Sequence, residues 1–240
     1  MNFYTLRDNY LLFKSLGGMV RVRYYPVYLD ISKRKCVVIG GGEVARRKVE
    51  RLLESEARVC VVSREMAPAL LSLKEEKKIT HIDDEYRKKH ITGAFLVVGA
   101  TDRDEINEAI CRDSRELGIP VNIVDDPVRC DFILPSLLQR GDLSIAVSTA
   151  GKSPLLARRI REDLERTYGQ EYVVLLDIMG TVREKILSRG GDSEANRKVF
   201  ESILDSPILR HIREKDWARI GELLFDLTGE NVELMKNRKS

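Results

Sequence analysis

Residues 37–48 read Val37-Val38-Ile39-Gly40-Gly41-Gly42-Glu43-Val44-Ala45-Arg46-Arg47-Lys48, an apolar run that ends in three glycines and leads at once into a helical pattern. Gly40, Gly42 and Ala45 have the G-x-G-x-x-G/A spacing of a dinucleotide-binding turn. In such a turn the first glycine permits the tight bend, the second lets the backbone approach a pyrophosphate, and the small third residue lets helix and strand pack closely. Free N–H groups at the start of the helix then hold the phosphates. The spacing therefore predicts a dinucleotide site; the alternative is a plain glycine-rich loop.

Short apolar runs alternate with helical patterns on both sides of this turn. Apolar runs bounded by turn residues are typical of parallel strands that are buried on both faces. Their alternation with helices predicts an α/β fold, a doubly wound (Rossmann-type) parallel sheet. Right-handed crossovers place all the strand ends at one edge, where ligands bind. The predicted strands are 35–39, 59–62, 79–82, 95–98 and 121–124, and the predicted helices are 43–54, 66–74 and 104–117.

The pattern changes after Pro127. Residues 132–138 and 143–148 predict two strands around a tight turn, and Pro135 makes the first of them an irregular or edge strand. Ser153-Pro154 is a good helix start, and helical patterns follow it. We expect residues before Met19 to be a flexible extension or an upstream-start artefact. The expected division is an N-terminal extension (1–23), a dinucleotide-binding domain (24–127), a small β segment (128–152) and a helical domain (153–240).

Composition excludes several classes of protein. The 240 residues carry 41 Lys+Arg against 38 Asp+Glu, a balance that does not indicate a nucleic-acid partner. No apolar run approaches the roughly 20 residues of a membrane span, so we expect no membrane insertion. The four cysteines have no C-x-x-C spacing, and Cys36 and Cys60 lie in strand patterns, which favours buried thiols in a reducing cytoplasm. The three histidines are far apart in the sequence and predict no metal site.

Two strand ends leave alternatives open. Ser63-Arg64 stands where an acidic residue often holds the ribose, so Arg64 is compatible with a 2′-phosphate or with an exposed loop arginine. The sequence therefore does not distinguish NAD from NADP.

Asp125-Asp126 ends the fifth strand, and a partly desolvated carboxylate there is a candidate general base. Asp-Asp-Pro is also ordinary turn chemistry, which composition alone favours. The arginines of 158–166 have two possible interpretations. They form a solvated helix face, or they attract a polyanionic substrate together with Arg129, Arg140 and Lys152.

An ordered series of motifs resembles the precorrin-2 dehydrogenase module of siroheme synthases, over residues of about 24 to 225. The downstream methyltransferase domain of that family is missing from this sequence, so we expect a stand-alone dehydrogenase. The motifs that carry the resemblance are 26–29, 37–48, 100–102, Asn107, 121–125, 132–136 and 148–154.

The resemblance implies NAD-dependent oxidation of precorrin-2 to sirohydrochlorin in siroheme (tetrapyrrole) biosynthesis; some members also insert ferrous iron. It implies a cytoplasmic homodimer, with the β segment and the helical domain contributing to the interface and to the tetrapyrrole cleft. The family's catalytic aspartate follows an Asn-x-Val stretch, which identifies Asp125. Implied cofactor contacts are Gly40, Gly41, Gly42, Glu43, Val44, Ser63, Arg64, Ala100, Thr101 and Asp102. Implied substrate contacts are Asn122, Arg129, Ser148, Thr149, Lys152 and Arg158.

Two other functions share the dinucleotide turn. One is a non-enzymatic nucleotide-sensing regulatory module, and the other is an NADP-dependent reductase of a small metabolite. A sensing module usually has an acidic residue at the end of the second strand, and Ser63-Arg64 departs from that pattern. Neither alternative requires the arginine-rich helix near the start of the helical domain, so both are disfavoured.

Overall fold

The computed structural model describes residues 23–188, 190 and 193–232. The expected N-terminal extension therefore lies, apart from its last residue, outside the described residues. The chain divides into two compact units, the first ending at Leu134 and the second beginning at Pro135. In the described ranges no helix is both long and apolar enough to span a bilayer.

Five parallel strands form the sheet of the first unit in the order β3-β2-β1-β4-β5. This order, with helices between the strands, confirms the predicted doubly wound fold. At the carboxyl edge Ile39 of β1 is level with Val62 of β2 and with Gly99 of β4. The strands are β1 (Lys35–Ile39), β2 (Arg58–Val62), β3 (Ile79–Ile82), β4 (Leu96–Gly99) and β5 (Val121–Ile123). The helices are α1 (Glu43–Glu54), α2 (Pro68–Glu75) and α3 (Asp104–Glu116), with 3₁₀ turns at Lys88–Ile91 and Pro127–Arg129.

The sheet is covered on both faces, as its apolar strands predict. Val37 and Val38 are adjacent in β1, point to opposite faces and are both fully buried. Val38 packs in one cluster with Val49 of α1, and Val37 packs in the other with Ile110 of α3. A parallel sheet buried in this way exposes its ligand-binding groups only at the strand ends.

The second unit contains an antiparallel strand pair and helices. The predicted first strand of this pair began at residue 132, but β6 begins at Ser136, because Pro135 has no N–H to donate to a ladder. The apolar core of the second unit includes the fully buried Ile203, Ile220 and Leu224. The strands are β6 (Ser136–Arg140) and β7 (Leu143–Val147). The helices are α4 (Pro154–Thr167), α5 (Glu171–Ser188), α6 (Ser193–Asp205), α7 (Ile208–Glu214) and α8 (Trp217–Thr228).

Candidate functional site

The first two glycines of the turn are enclosed by backbone. Gly40 has φ +119°, and a Cβ there would lie 2.2 Å from the carbonyl oxygen of Ala100, the residue that follows β4. A Cβ on Gly41 would lie 1.8 Å from the carbonyl oxygen of Glu65, and the Gly41 carbonyl accepts a hydrogen bond from the Ala67 N–H at 2.7 Å. Any side chain at either position would displace the turn, so both glycines are required for the close approach of three loops.

The third glycine is different, because it faces open space. Gly42 is the N-cap of α1 and has no side-chain cap, and a Cβ there would meet no atom of the described residues within 4 Å. Glu43 and Val44, which follow it, are both exposed, and Glu43 pairs with Arg46 at 2.7 Å. Ala45 is fully buried against the sheet. Free N–H groups at a helix start beside unfilled space fit the pyrophosphate of a dinucleotide.

The end of β2 carries the residues expected at the ribose. The Ser63 carbonyl accepts a hydrogen bond from Nε2–H of His81 at 2.9 Å, and Nδ1 of His81 lies 3.4 Å from Nζ of Lys74. The Arg64 side chain is 63% exposed, with Nη2 3.9 Å from Oδ1 of Asp84. Arg64 is thus exposed at the end of β2 and has the carboxylate of Asp84 beside it.

The end of β4 completes the same edge of the sheet. The Ala100 N–H donates to the carbonyl of Ile39 at 2.7 Å, which places residue 100 beside the glycine turn. The Thr101 carbonyl accepts from Nδ2 of Asn107 at 3.0 Å, and Asp102 is exposed. The predicted cofactor contacts from the ends of β1 and β4 thus lie together, and the Gly40 N–H bonds to the carbonyl of Val62 at the end of β2.

The two aspartates after β5 have separate environments. Asp126 caps the Pro127–Arg129 turn: Oδ1 accepts from the N–H groups of Val128 (3.2 Å) and Arg129 (3.3 Å). Asp125 is exposed, has φ +62°, and forms no hydrogen bond or ion pair with any residue that the structure describes. The turn chemistry of Asp-Asp-Pro is accounted for by Asp126, so the Asp125 carboxylate is available for another role.

A buried thiol and a buried amide hold this turn, and sequence reasoning missed the thiol. Sγ of Cys130 accepts from the Ile123 N–H at 3.2 Å and lies 3.1 Å from the Asp126 carbonyl. Burial raises the pKa of the Cys130 thiol, which keeps it protonated and able to donate. Asn122 is 7% exposed, and its amide donates to the Phe132 carbonyl at 2.9 Å. Asn122, expected to touch substrate, is therefore committed to bonds within the protein.

Lys48 is a second residue whose role the sequence did not indicate. The helical pattern places it among the inward-facing positions of α1, where a half-buried lysine is unusual. Burial lowers the pKa of Lys48, whereas the negative charge of Asp125 raises it. Only the tertiary structure brings these two residues, 77 positions apart in the sequence numbering, into one electrostatic environment.

The predicted substrate contacts of the second unit form a compact loop before α4. Oγ of Ser148 accepts from the Ala150 N–H at 3.0 Å, and Oγ1 of Thr149 accepts from the Ser153 N–H at 3.1 Å. Ala150 (φ +53°) and Gly151 (φ +82°) are both left-handed. In both bonds the hydroxyl oxygen is the acceptor. The side chain of Lys152, near the end of the loop, is exposed.

Several of the arginines already pair with carboxylates and are therefore less available to bind an anionic substrate. Arg158 pairs with Glu162 at 2.8 Å, and Arg161 and Arg166 also pair with acidic residues of α4. Arg129 pairs with Asp104 and lies 3.3 Å from Oδ2 of Asp126. These pairs favour a solvated helix face as the description of most of α4. Across the described ranges, no group of three or more His, Cys, Asp and Glu side chains is arranged to bind a metal ion.

Comparison with known proteins gives concordant matches. Residues 27–136 match the family described as putative NAD(P)-binding, and residues 140–167 match the family described as sirohaem biosynthesis protein central. The siroheme synthase of Nitrosomonas europaea is 40% identical over 185 residues, which cover 77% of this chain and 39% of that protein. The siroheme synthase of Photobacterium profundum is 36% identical over 182 residues, covering 76% and 39%. The chain spans about two fifths of the length of these relatives.

One solved structure has a similar fold. It is described as SirC, precorrin-2 dehydrogenase, and superimposes with a TM-score of 0.72 over 86% of this chain and 100% of that chain. The sequence identity is 23%, so the likeness concerns the fold: a parallel sheet with helices, a small antiparallel strand pair and carboxyl-terminal helices.

Proposed function

We propose that the chain belongs to the siroheme synthase family and that it oxidises precorrin-2 to sirohydrochlorin with a nicotinamide dinucleotide. The observation that carries the proposal is the pairing of an open glycine turn at the carboxyl edge of the sheet with a carboxylate, Asp125, that follows β5. The first feature suits a dinucleotide, and the second suits a proton acceptor.

The residues present fit the cofactor. Gly42 and the N–H groups at the start of α1 would hold the pyrophosphate, with Ser63-Arg64 toward the ribose and Ala100-Thr101-Asp102 at the end of β4. Bound NAD⁺ supplies a hydride acceptor. We propose NAD⁺ rather than NADP⁺, because Asp84 lies 3.9 Å from Arg64 and weakens its attraction for a 2′-phosphate. A higher kcat/KM with NADP⁺ than with NAD⁺ would contradict this choice.

Asp125 is proposed as the general base. Dehydrogenation removes a hydride and a proton from the tetrapyrrole ring. A carboxylate that accepts no hydrogen bond from any described residue, as is the case for Asp125, is suited to accept that proton. Asp126 is already an acceptor for two backbone N–H groups and is not suited to this task.

The carboxylates of the tetrapyrrole require cationic partners. In the second unit we propose Lys152 and Arg158 for this role, with the loop residues Ser148 and Thr149 beside Lys152 in sequence. Lys152 is the strongest of these candidates, because Arg158 already pairs with Glu162, and Asp104 and Asp126 already neutralise the guanidinium group of Arg129.

The test is an anaerobic assay with precorrin-2 and NAD⁺ that follows the absorbance of sirohydrochlorin. We expect Asp125→Ala to lower turnover by about 100-fold or more, the usual contribution of a general base. Asp126→Ser, which keeps an acceptor for the cap, is the matched control and is expected to stay active. Near-full turnover by Asp125→Ala would refute the role of Asp125. Wild-type protein that does not exceed the spontaneous rate would refute the function, as expected for a nucleotide-sensing module or a reductase of another metabolite.

Ferrous iron insertion into sirohydrochlorin is a second proposal that depends on the same carboxylate. Metal insertion requires removal of protons from pyrrole nitrogens, and Asp125 is the base available for it. Anaerobic addition of Fe²⁺ to protein and sirohydrochlorin tests this step directly. Iron insertion that is equally fast with Asp125→Ala would contradict a shared base.

We also propose a homodimer in a reducing compartment such as the cytoplasm. Leu155, Leu156 and Ile160 of α4 are 76%, 50% and 38% exposed, an apolar surface that a second copy would cover. All four cysteines are buried and free, which suits a compartment that keeps thiols reduced.

A further inference from the structure

The acidic residue that is missing after β2 has a counterpart after β3. In dinucleotide-binding folds an acid near the end of the second strand usually binds the 2′-hydroxyl of the adenosine ribose, whereas Ser63-Arg64 stands there in this chain. The Ser63 N–H donates to the Ile82 carbonyl at 3.2 Å, and the Asp84 N–H donates to the same oxygen at 3.0 Å. Because both segments bond to one carbonyl group, Asp84 lies next to the end of β2.

The glycine turn lies against the same segment. A Cβ on Gly41 would lie 2.8 Å from Oγ of Ser63 and 1.8 Å from the carbonyl oxygen of Glu65. The side chain of Arg64, between these two residues, extends to Asp84, with Nη2 3.9 Å from Oδ1. A continuous set of contacts therefore joins the glycine turn, the end of β2 and the Asp84 carboxylate at the carboxyl edge of the sheet.

The Asp84 carboxylate is held in place by its own loop. Oδ1 accepts from the Glu85 N–H at 2.8 Å and from Nη2 of Arg87 at 3.3 Å. Nε2 of the buried His90 lies 3.5 Å from Oδ2, while Nδ1 of His90 accepts from the Arg87 N–H at 3.2 Å. Burial raises the pKa of Asp84, but the Glu85 N–H and the neighbouring charges lower it by more, so the carboxyl group is ionised at neutral pH.

This carboxylate retains the capacity to bind a ligand. An ionised carboxylate accepts about four hydrogen bonds, and the donors of Glu85, Arg87 and His90 account for at most three of them. The Asp84 side chain is 19% exposed, so a ligand can approach it. A hydroxyl group would donate a charge-assisted hydrogen bond to this carboxylate, whereas a phosphate would be repelled by it.

We propose that Asp84 is a specificity-determining residue, which accepts a hydrogen bond from the 2′-hydroxyl of the adenosine ribose of NAD⁺ and repels the 2′-phosphate of NADP⁺. Asp84 then acts on the cofactor directly, in addition to its effect on Arg64. The inference rests on the proposed use of a nicotinamide dinucleotide, and it depends neither on the tetrapyrrole substrate nor on Asp125.

The first experiment is calorimetric titration of the whole chain with NAD⁺ and with NADP⁺, which needs no turnover. Asp84→Asn keeps the size of the side chain and an acceptor oxygen for the Glu85 N–H, and thermal unfolding checks its fold. We expect NAD⁺ to bind about tenfold more weakly, because a hydrogen bond to a charged group is lost, and NADP⁺ to bind more tightly. Asp83→Asn removes the adjacent exposed carboxylate, and as the matched control it is expected to bind both cofactors as the wild type does.

The second experiment separates direct contact from an effect through Arg64. Asp84→Asn is combined with Arg64→Met, and we expect the same loss of NAD⁺ affinity, about tenfold, that it causes in the wild type. The titrations are then repeated with 2′-deoxy-NAD⁺. With this ligand we expect Asp84→Asn and the wild type to have equal affinities, because the hydroxyl group that distinguishes them is missing.

Each contrary outcome identifies what fails. Unchanged NAD⁺ affinity in Asp84→Asn would overturn the inference and leave the proposed function intact. A loss that disappears in the Arg64→Met background would mean that Asp84 acts only through Arg64. An undiminished loss with 2′-deoxy-NAD⁺ would mean that the carboxylate contacts another part of the cofactor, and either result overturns the direct role. A wild type that does not bind NAD⁺ would refute both the inference and the proposed cofactor.

Discussion

At the scale of single residues, the three consecutive glycines have three different environments. Gly40 and Gly41 face the carbonyl oxygens of Ala100 and Glu65, so their lack of a Cβ serves the fold. At Gly42 no atom of the described residues lies within 4 Å of the position of a Cβ, so the packing of these residues does not require a glycine there. A methyl group at Gly42 would occupy the space that we assign to the pyrophosphate.

Gly42→Ala is therefore expected to fold normally and to bind NAD⁺ at least about tenfold more weakly, a loss of about 1.4 kcal/mol. Calorimetric titration with NAD⁺ measures the affinity, and circular dichroism checks the fold. Gly40→Ala is the contrasting variant: its Cβ would lie 2.2 Å from a carbonyl oxygen, so thermal unfolding should occur at a clearly lower temperature. Unchanged NAD⁺ affinity in Gly42→Ala would show that the cofactor does not use this turn.

Asp125 has a left-handed conformation that aspartate adopts at a lower cost in free energy than alanine. Its φ of +62° lies in the left-handed region, which costs most residues about 1–2 kcal/mol and costs glycine nothing. We expect Asp125→Ala to be about 1 kcal/mol less stable than Asp125→Gly, after the greater freedom of glycine in the unfolded chain is subtracted. Urea unfolding of the two variants measures the difference. Equal stabilities would mean that residue 125 is not left-handed in solution.

At the scale of elements, one ion pair joins two helices of the second unit. The Glu171 carboxylate at the start of α5 accepts hydrogen bonds from Nε (3.0 Å) and Nη2 (2.6 Å) of Arg213 in α7. Burial by itself raises the pKa of Glu171. The hydrogen bond and charge of Arg213 and the backbone N–H groups at the helix start lower this pKa by more than burial raises it, so the net pKa lies below 4.5. A carboxyl whose pKa is lowered by folding contributes stability above its ordinary pKa and loses it as the pH falls through the lowered value.

Arg213→Met is expected to lower the free energy of unfolding by about 1 kcal/mol at pH 7, since Glu171 is mostly buried while Arg213 is half-exposed. The difference from the wild type should shrink once the pH falls below 4.5. Arg210→Met is the control on the same helix: its pair with Glu214 is exposed, so its loss should leave the free energy of unfolding nearly unchanged. A deficit in Arg213→Met that is as large at pH 3 as at pH 7 would contradict the assignment.

At the scale of the whole molecule, the exposed apolar residues of α4 (Leu155, Leu156 and Ile160) predict that two copies of the chain form a dimer. The wild type should have twice the 27.4 kDa mass of one chain in light scattering. Leu155→Asp combined with Ile160→Asp should give a monomer, because two buried carboxylates at a symmetric interface repel and lose their hydration. Leu187→Asp, at a leucine of α5 that is 59% exposed, should remain a dimer. A monomeric wild type would exclude this interface.

The proposed family and the fold follow from local patterns. Strand 35–39 is found where a continuous apolar run predicts it, because a strand that is buried on both faces is apolar along its length. Helix 43–54 is found where apolar residues recur at helical spacing. The different roles of Asp125 and Asp126 were not predictable from the sequence, since both residues suit a turn. Only the backbone angles and the hydrogen bonds of the folded chain show that Asp126 is the cap. The pairing of Arg129 with Asp104 was also hidden, because it depends on the distance between two loops.

The amino-acid sequence sufficed for the class of fold, the glycine turn and the carboxylates at the end of β5, because spacing along a strand or a helix fixes which side chains share a face. Three facts required the folded chain. No described residue lies within 4 Å of the position of a Cβ on Gly42, Asp125 has no hydrogen-bonding partner among the described residues, and the charge of Asp125 raises the pKa of Lys48. Each depends on distances between residues far apart in the chain. Such distances are set by the packing of α1 and of the strand ends around one buried core, which no local pattern records.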